Sequence, residues 1–169
     1  MRILFEIDKK DYNINGTSYI RPSARGIIIR NDRLAMVHSL KYDYYKFPGG
    51  GIKENENNID ALIREVLEET GLTVIPETIK EYGMVHRIQK GIHEDMFIQD
   101  NYYYLCKTDE TIKNQKLDDY EEDERFTLEY ITPEQAVNTN NACINTDINK
   151  VMLQRENKVI EILLQEGLL

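Results

Sequence analysis

The chain has 169 residues, of which 41% are hydrophobic and 30% are charged, which fits a single globular domain over residues 1–169. Its formal net charge of −9 argues against a protein that coats nucleic acid or lies on a membrane surface. A small phosphorylated substrate stays compatible with this charge if metal ions accompany it.

The two cysteines, Cys106 and Cys143, lack the spacing of a zinc site or of a disulfide framework. No apolar run is long enough to cross a bilayer, and the first residues lack a secretory apolar segment. These features predict reduced thiols in a cytoplasmic protein that contacts neither membrane nor nucleic acid.

The first third of the chain is rich in β-forming residues. The run RILFEI predicts a strand, and SYIRPSARGIIIR predicts a second β-rich segment. Asn31 and Asp32 then separate two apolar runs, which predicts a hairpin with a tight turn. Pro48 and three glycines in the following stretch, KYDYYKFPGGGIKENEN, are typical of a loop.

A central helix follows this loop. Its apolar residues recur at helical spacing at positions 59, 62, 63 and 66. Asn57 or Asn58 can cap its N-terminus, and Gly71 stands where a helix C-terminal glycine belongs.

The remainder predicts further strands and two helices. LTVI, EYGMVHRIQ, NYYYLCKT and RFTLEYIT read as strands, separated by loops that carry Pro76, Gly91 and the acid-rich DDYEEDE. A helix is expected from Pro133 with Thr132 as its cap, and a longer amphipathic helix from DINKV to Gly167.

Three glutamates cluster on the central helix. Glu65, Glu68 and Glu69 stand at i, i+3 and i+4, where like charges repel by a few tenths of a kcal/mol per pair. Such a cluster is either an ordinary solvated helix face or a site that receives a cation.

A longer pattern favours the cation site. Gly50, Glu56, Arg64-Glu65, Glu68-Glu69 and Gly71 follow the spacing G-x5-E-x7-R-E-U-x-E-E-x-G-U, in which U is apolar. With every specified position filled, the chain resembles the Nudix hydrolases. The resemblance implies an α/β (α+β) fold in which a mixed β-sheet is sandwiched between α-helices.

The resemblance also implies a chemistry. Nudix enzymes use Mg²⁺ or Mn²⁺ to hydrolyse a diphosphate linkage in a nucleoside diphosphate joined to a group X. Carried over, Glu65, Glu68 and Glu69 are the expected metal ligands, with one of them a candidate base. Hard cations of this kind prefer such oxygen ligands.

The resemblance implies roles for further residues. The Gly50 carbonyl is an expected metal ligand, and Arg64 and Glu56 are expected to orient the acids. Family members usually draw one more acid from a loop before a late strand. Here Glu121, Glu122 and Glu124 are candidates, and Glu124 is preferred as the extra ligand or general base.

The substrate is less well defined. Subfamilies for ADP-ribose and for dinucleoside polyphosphates carry a proline or a tyrosine about sixteen residues beyond the end of this pattern, which is Leu72 here, and this chain has Ile88 at that place. A nucleoside triphosphate, ordinary or oxidised, is therefore the preferred substrate, and ADP-ribose, a nucleotide sugar and a dinucleoside polyphosphate are the alternatives. A protein that binds nucleotides without hydrolysing them is the alternative function.

For several other features the sequence allows two alternatives. Arg21 and Arg25 either meet substrate phosphates or decorate a strand, and the tyrosines of KYDYYKF and NYYYLC either stack on a base or pack in the core. The C-terminal helix either covers the sheet or forms a homodimer contact.

Overall fold

The computed structural model describes residues 1–144 and 150–169. The helices are α1 Asn58–Thr70, α2 Asp119–Asp123, α3 Pro133–Cys143 and α4 Lys150–Gln165. The strands are β1 Ile3–Asp8, β2 Ser18–Ile20, β3 Ser23–Ile27, β4 Ile29–Arg30, β5 Arg33–Ser39, β6 Tyr44–Lys46, β7 Gly49–Gly51, β8 Leu72–Val74, β9 Lys80–Gln89, β10 Met96–Leu105, β11 Thr108–Ile112 and β12 Phe126–Ile131.

The main sheet is mixed. Its strands run in the order β1-β9-β10-β3-β7, with β2 also paired to β10. β10 is antiparallel to β9 but parallel to β3. A second sheet joins β12, β5 and β4, with β6 on β5, and β11 pairs with β8.

Helices cover both faces of the main sheet. Tyr103 and Tyr104 are neighbours on β10, so their side chains point to opposite faces. Tyr103 packs in a core with Ile160 of α4, whereas Tyr104 packs in a core with Leu62 of α1. This arrangement confirms the predicted fold class, and it shows that α4 covers the sheet. A homodimer stays a prediction.

The predicted hairpin is present. Asn31 and Asp32 adopt φ values of 51° and 57° between β4 and β5, a turn geometry that these residue types tolerate well. Because the turn has two residues, Arg30 pairs directly with Arg33.

The central helix also follows its prediction. Of the two candidate caps, Asn57 is the one used, since its side chain accepts hydrogen bonds from the backbone N–H groups of Ile59 and Asp60. At the other end Gly71 has a φ of 75° and donates to the Leu67 carbonyl. The helix therefore spans Asn58–Thr70 and carries Glu65, Glu68 and Glu69 in its second half.

Three loop predictions are wrong in detail. The stretch KYDYYKFPGGGIKENEN contains the strands β6 and β7, because Tyr44–Lys46 pairs with β5 and Gly49–Gly51 pairs with β3. The segment DDYEEDE contains the short helix α2 instead of an open loop, because Asp118 and Glu121 form a reciprocal capping box that stabilises one helical turn. Pro76 begins a 3-10 turn, Pro76–Thr78.

At the C-terminus, the predicted helix start at Asp147 lies outside the described residues. The helix is present from Lys150 and ends at Gln165, two residues before Gly167. No helix in the described part of the chain is long and apolar enough to cross a membrane. A cytoplasmic location and a single domain over the whole chain stay predictions.

Candidate active site

Arg64 of α1 holds three carboxylates together. Its Nε and Nη2 atoms donate to the two oxygens of Glu56, both at 2.7 Å. Its Nη1 atom donates to Glu65 at 2.6 Å and to Glu68 at 3.0 Å. These bonds from Arg64 lower the pKa of Glu56 to about 2. The orienting role that the sequence predicts for Arg64 and Glu56 agrees with this geometry.

The segment Pro48–Gly51, called the glycine loop although Gly49–Gly51 forms β7, lies against the Glu65 carboxylate. Gly50 is on β7, where it pairs with Ala24 of β3, and a Cβ atom at Gly50 would overlap the Oε2 atom of Glu65. Burial raises the pKa of Glu65, while the adjacent Arg64 opposes that shift. Glycine is therefore required at position 50 for the Glu65 carboxylate to stay where it is.

A Gly50→Ala substitution tests this close approach. The added methyl group would push the Glu65 carboxylate away from Arg64, so we expect a roughly 10–100-fold loss of activity, as for other disturbances around a metal ligand. The melting temperature should stay near that of the wild type, because the displaced atoms are the end of a flexible side chain.

The matched control is Gly51→Ala, measured by the same steady-state kinetics and thermal unfolding. A Cβ atom there would lie 3.2 Å from the flexible guanidinium of Arg21, and we expect near wild-type activity. Equal activity losses in the two variants would contradict a specific role for Gly50.

Glu69 is held apart from the other two acids of α1. It is 1% exposed, and its oxygens accept from Lys46 Nζ at 2.6 Å and from the Gly49 backbone N–H at 2.8 Å. Burial raises the pKa of Glu69 to about 7, although Lys46 and Gly49 both favour its ionised form. A metal ion at Glu69 would compete with the Lys46 ammonium, so its ligand role stays a prediction.

Lys46 is a residue of the site that the sequence did not predict. It lies on β6, far from the acids in the chain, and its side chain lies over the Phe126 ring at 4.5 Å. The only sequence signal is its place two residues before Pro48 of the glycine loop. That position alone does not predict a buried ion pair.

Of the three candidate extra acids, Glu124 is the one that lines the cleft. It lines the cleft beside the glycine loop and accepts from Ser39 at 2.9 Å and from the Tyr44 hydroxyl at 2.6 Å. Glu121 is buried as a cap of α2, and Glu122 is exposed. The structure therefore favours Glu124 among the three, while its catalytic role stays a prediction.

The cleft itself has a volume of about 1180 Å³ and runs from the glycine loop to β9 and β10. Basic side chains outnumber acidic ones in its wall, although the whole chain is acidic. The basic residues are Arg21, Arg25, Lys41, Lys46, Arg87, Lys90 and Arg155. Such a wall attracts a polyanionic ligand.

The cleft wall contains some of the arginines and tyrosines for which the sequence left two alternatives. Arg21 and Arg25 both line it. Tyr42 and Tyr44 line it as well, whereas Tyr103 is fully buried in the core. Base stacking by NYYYLC is therefore not supported at Tyr103.

The donor set fits a hard divalent cation. Among the described residues, no three acidic, histidine or cysteine side chains already converge on one point. Glu65 and Glu68 nevertheless converge on one nitrogen of Arg64, beside the backbone of Gly50. Mg²⁺ is often held by one or two carboxylates together with substrate phosphates, so these oxygens suit it.

The sequence profile of the NUDIX domain matches residues 20–154, and the chain belongs to the Nudix hydrolase family. The fold agrees with solved members. A NUDIX hydrolase from Nitrosomonas europaea has a TM-score of 0.57 and 16% identity, covering 80% of this chain and 87% of its own. A MutT NUDIX hydrolase from Burkholderia pseudomallei has a TM-score of 0.54 and 17% identity, covering 69% and 85%.

Curated relatives match over a shorter stretch. An 8-oxo-dGTP diphosphatase of Buchnera aphidicola is 41% identical over 54 residues, which are 30% of this chain and 42% of the relative. An RNA pyrophosphohydrolase of Thioalkalivibrio sulfidiphilus is 40% identical over 65 residues, 37% of this chain and 36% of the relative. The chain thus spans less than half the length of these relatives.

Proposed function

We propose that the protein is a metal-dependent hydrolase that cleaves a diphosphate linkage in a nucleoside diphosphate joined to a group X. The observation that carries this proposal is the convergence of Glu65 and Glu68 on Arg64 beside Gly50, a residue that also lines the basic cleft. The short matches to a diphosphatase and a pyrophosphohydrolase support the same chemistry.

The preferred substrate is a nucleoside triphosphate, ordinary or oxidised. The cleft volume of about 1180 Å³ is ample for a ligand of this size, and its basic wall suits a polyphosphate. One of the relatives acts on 8-oxo-dGTP by its name, which supports the oxidised form as a candidate.

Each residue of the site has its own proposed role. Glu65 and Glu68 would hold a Mg²⁺ or Mn²⁺ ion with the Gly50 carbonyl, and Arg64 keeps the two carboxylates in place. When bound, the ion neutralises charge on the phosphates and activates water. Glu124 is the proposed base that accepts a proton from the attacking water; its position in the cleft wall and its hydrogen bond from the Tyr44 hydroxyl support this role.

Glu69 is the second candidate base. Its pKa of about 7 suits proton transfer near neutral pH, but both of its oxygens already accept hydrogen bonds. The structure therefore favours Glu124 for direct contact with water and Glu69 for support of the loop through Gly49.

One observation favours a second candidate function. The Lys46 ammonium already neutralises Glu69, which would weaken metal binding at that carboxylate. A protein with this feature could bind a nucleotide and respond to it without hydrolysis.

The test is a screen of the purified protein against nucleoside triphosphates, oxidised purine triphosphates, ADP-ribose, nucleotide sugars and dinucleoside polyphosphates. Phosphate and pyrophosphate release is measured with Mg²⁺ or Mn²⁺ and again with a chelator. We expect turnover of a triphosphate that the chelator abolishes. Nucleotide binding without turnover would favour the sensing function, and turnover that resists the chelator would contradict a metal-dependent site.

A further inference from the structure

Three buried arginines from three different elements meet in the wall of the cleft. Arg25 of β3 is 7% exposed, Arg87 of β9 is 5% exposed and Arg155 of α4 is 1% exposed. All three line the cleft. Burying a guanidinium is costly unless an acid or several good hydrogen bonds compensate for its lost hydration.

The described residues supply one carboxylate for these three charges. Glu156 accepts from Arg155 at 2.6 Å and 3.0 Å. Arg25 instead donates to the backbone carbonyls of Phe47 and Gly49, at 3.3 Å and 3.2 Å. The group therefore carries an excess of positive charge.

Among the described residues only neutral groups compensate the charge of Arg87, whose guanidinium also lies over the Phe97 ring at 5.4 Å. Its Nε and Nη2 atoms both donate to one neutral acceptor, the Gln89 amide oxygen, at 3.0 Å and 2.7 Å. No acidic side chain among the described residues forms an ion pair with it. Burial, followed by repulsion from Arg155 and Arg25, lowers the pKa of Arg87 to about 10, which agrees with a charge in need of a counterion.

Arg87 lies on a strand distant from the one that carries Gly50 of the proposed diphosphate site. In the main sheet β9 lies three strands from β7, which carries Gly50. At about 4.8 Å per strand, the two backbones are roughly 14 Å apart. A diphosphate held beside Gly50 leaves the Arg87 end of the cleft to another part of the substrate.

We propose that Arg87, in the field of Arg25 and Arg155, binds a second phosphoryl group of the substrate, one that lies outside the cleaved diphosphate. A phosphate dianion offers several oxygens and two charges, which suits an excess of guanidinium groups better than a single carboxylate does. The substrate part of this inference rests on the proposed function. It adds to the candidate substrates those nucleotides that carry an additional phosphate at a remote position.

The first experiment measures the anion site without metal and without turnover. Thermal unfolding is followed in EDTA with increasing inorganic phosphate, against potassium chloride at equal ionic strength. We expect phosphate to raise the melting temperature of the wild type. In Arg87→Met we expect a higher melting temperature without phosphate, because a repelled buried charge is removed, and a phosphate affinity weaker by roughly tenfold or more.

The matched control is Arg33→Met, which removes an exposed arginine outside the cleft wall and should keep the wild-type response. A lower melting temperature in Arg87→Met with an unchanged phosphate response would show that Arg87 is only structural and would overturn the proposal. Equal loss of the response in both variants would overturn it as well.

The second experiment asks whether the phosphate belongs to the substrate. Calorimetry in EDTA compares adenosine 5′-diphosphate with its 3′-phosphorylated analogue. We expect the added phosphate to strengthen binding to the wild type by roughly tenfold and to have little effect on Arg87→Met. Equal binding of the two nucleotides, with inorganic phosphate still bound, would assign the site to free phosphate and overturn the substrate part. Since neither experiment needs hydrolysis, both remain informative if the proposed function fails.

Discussion

Glu68→Gln is expected to lower kcat/KM by roughly 100-fold or more, while the protein stays folded. The substitution keeps the size of the side chain and its capacity to accept a hydrogen bond from Arg64, now 3.0 Å from the carboxylate. It removes one negative charge from the site where a cation is proposed. A metal ion commonly contributes several kcal/mol of charge stabilisation, and each 1.36 kcal/mol is about tenfold in rate.

The measurement is steady-state kinetics over a Mg²⁺ titration, with thermal unfolding as the check on folding. Glu161→Gln is the matched control, because Glu161 is a half-exposed acid of α4 that pairs with Lys158. Unchanged turnover of Glu68→Gln at saturating Mg²⁺ would remove Glu68 from the proposed metal site.

Lys46→Met is expected to destabilise the fold by about 3–5 kcal/mol. The substitution leaves Glu69 buried without its cation, and breaking one side of a buried ion pair typically has this cost. For a chain of this size the loss corresponds to a fall in melting temperature of roughly 6–20 °C.

The loss should depend on pH. The pKa of Glu69 is already raised to about 7, and removal of the ammonium raises it further. An acid whose folded-state pKa is raised loses stability as pH rises through that pKa, because the folded protein must then hold the charged form. We therefore expect a smaller deficit at pH 5 than at pH 8.

Two further variants isolate the ion pair. Glu69→Gln in the Lys46→Met background should recover much of the lost stability, since it removes the unpaired charge. Lys41→Met breaks the exposed pair with Asp123 and should change stability by less than about 1 kcal/mol. A melting temperature of Lys46→Met equal to that of the wild type would contradict a structural role for the pair.

The central helix α1 shows which features a local stretch of sequence specifies. Its apolar spacing, its asparagine cap and its terminal Gly71 all lie within one short segment, and the structure confirms each of them. The choice of Asn57 over Asn58 depended on backbone geometry at the helix start. The clustering of Glu65 and Glu68 followed directly from the helical period.

Contacts between segments that are distant in the chain could not be predicted from local sequence patterns. Lys46 and Glu69 are 23 residues apart, and the Glu156 carboxylate accepts from the Phe47 backbone N–H across 109 residues. Such pairs depend on how β6 and α4 pack against the sheet, which no local pattern encodes. The excess positive charge around Arg87 is of the same kind, because its members come from three different elements.

The loop prediction for the acid-rich segment DDYEEDE was wrong for another reason. A run of like charges usually predicts a solvated loop, but here Asp118 and Glu121 satisfy each other's backbone N–H groups and form a helical turn. That turn places Glu124 at its end, where Ser39 and Tyr44 orient its carboxylate toward the cleft.

The most direct test of metal-dependent diphosphate hydrolysis is a ³¹P NMR time course on the wild-type protein. A nucleoside triphosphate is supplied with Mg²⁺, and EDTA is added midway. The proposed function predicts that the triphosphate signals decay into those of a shorter nucleotide and phosphate or pyrophosphate, and that EDTA stops the decay. Intact triphosphate throughout, although the nucleotide binds, or decay that continues after EDTA, would contradict it.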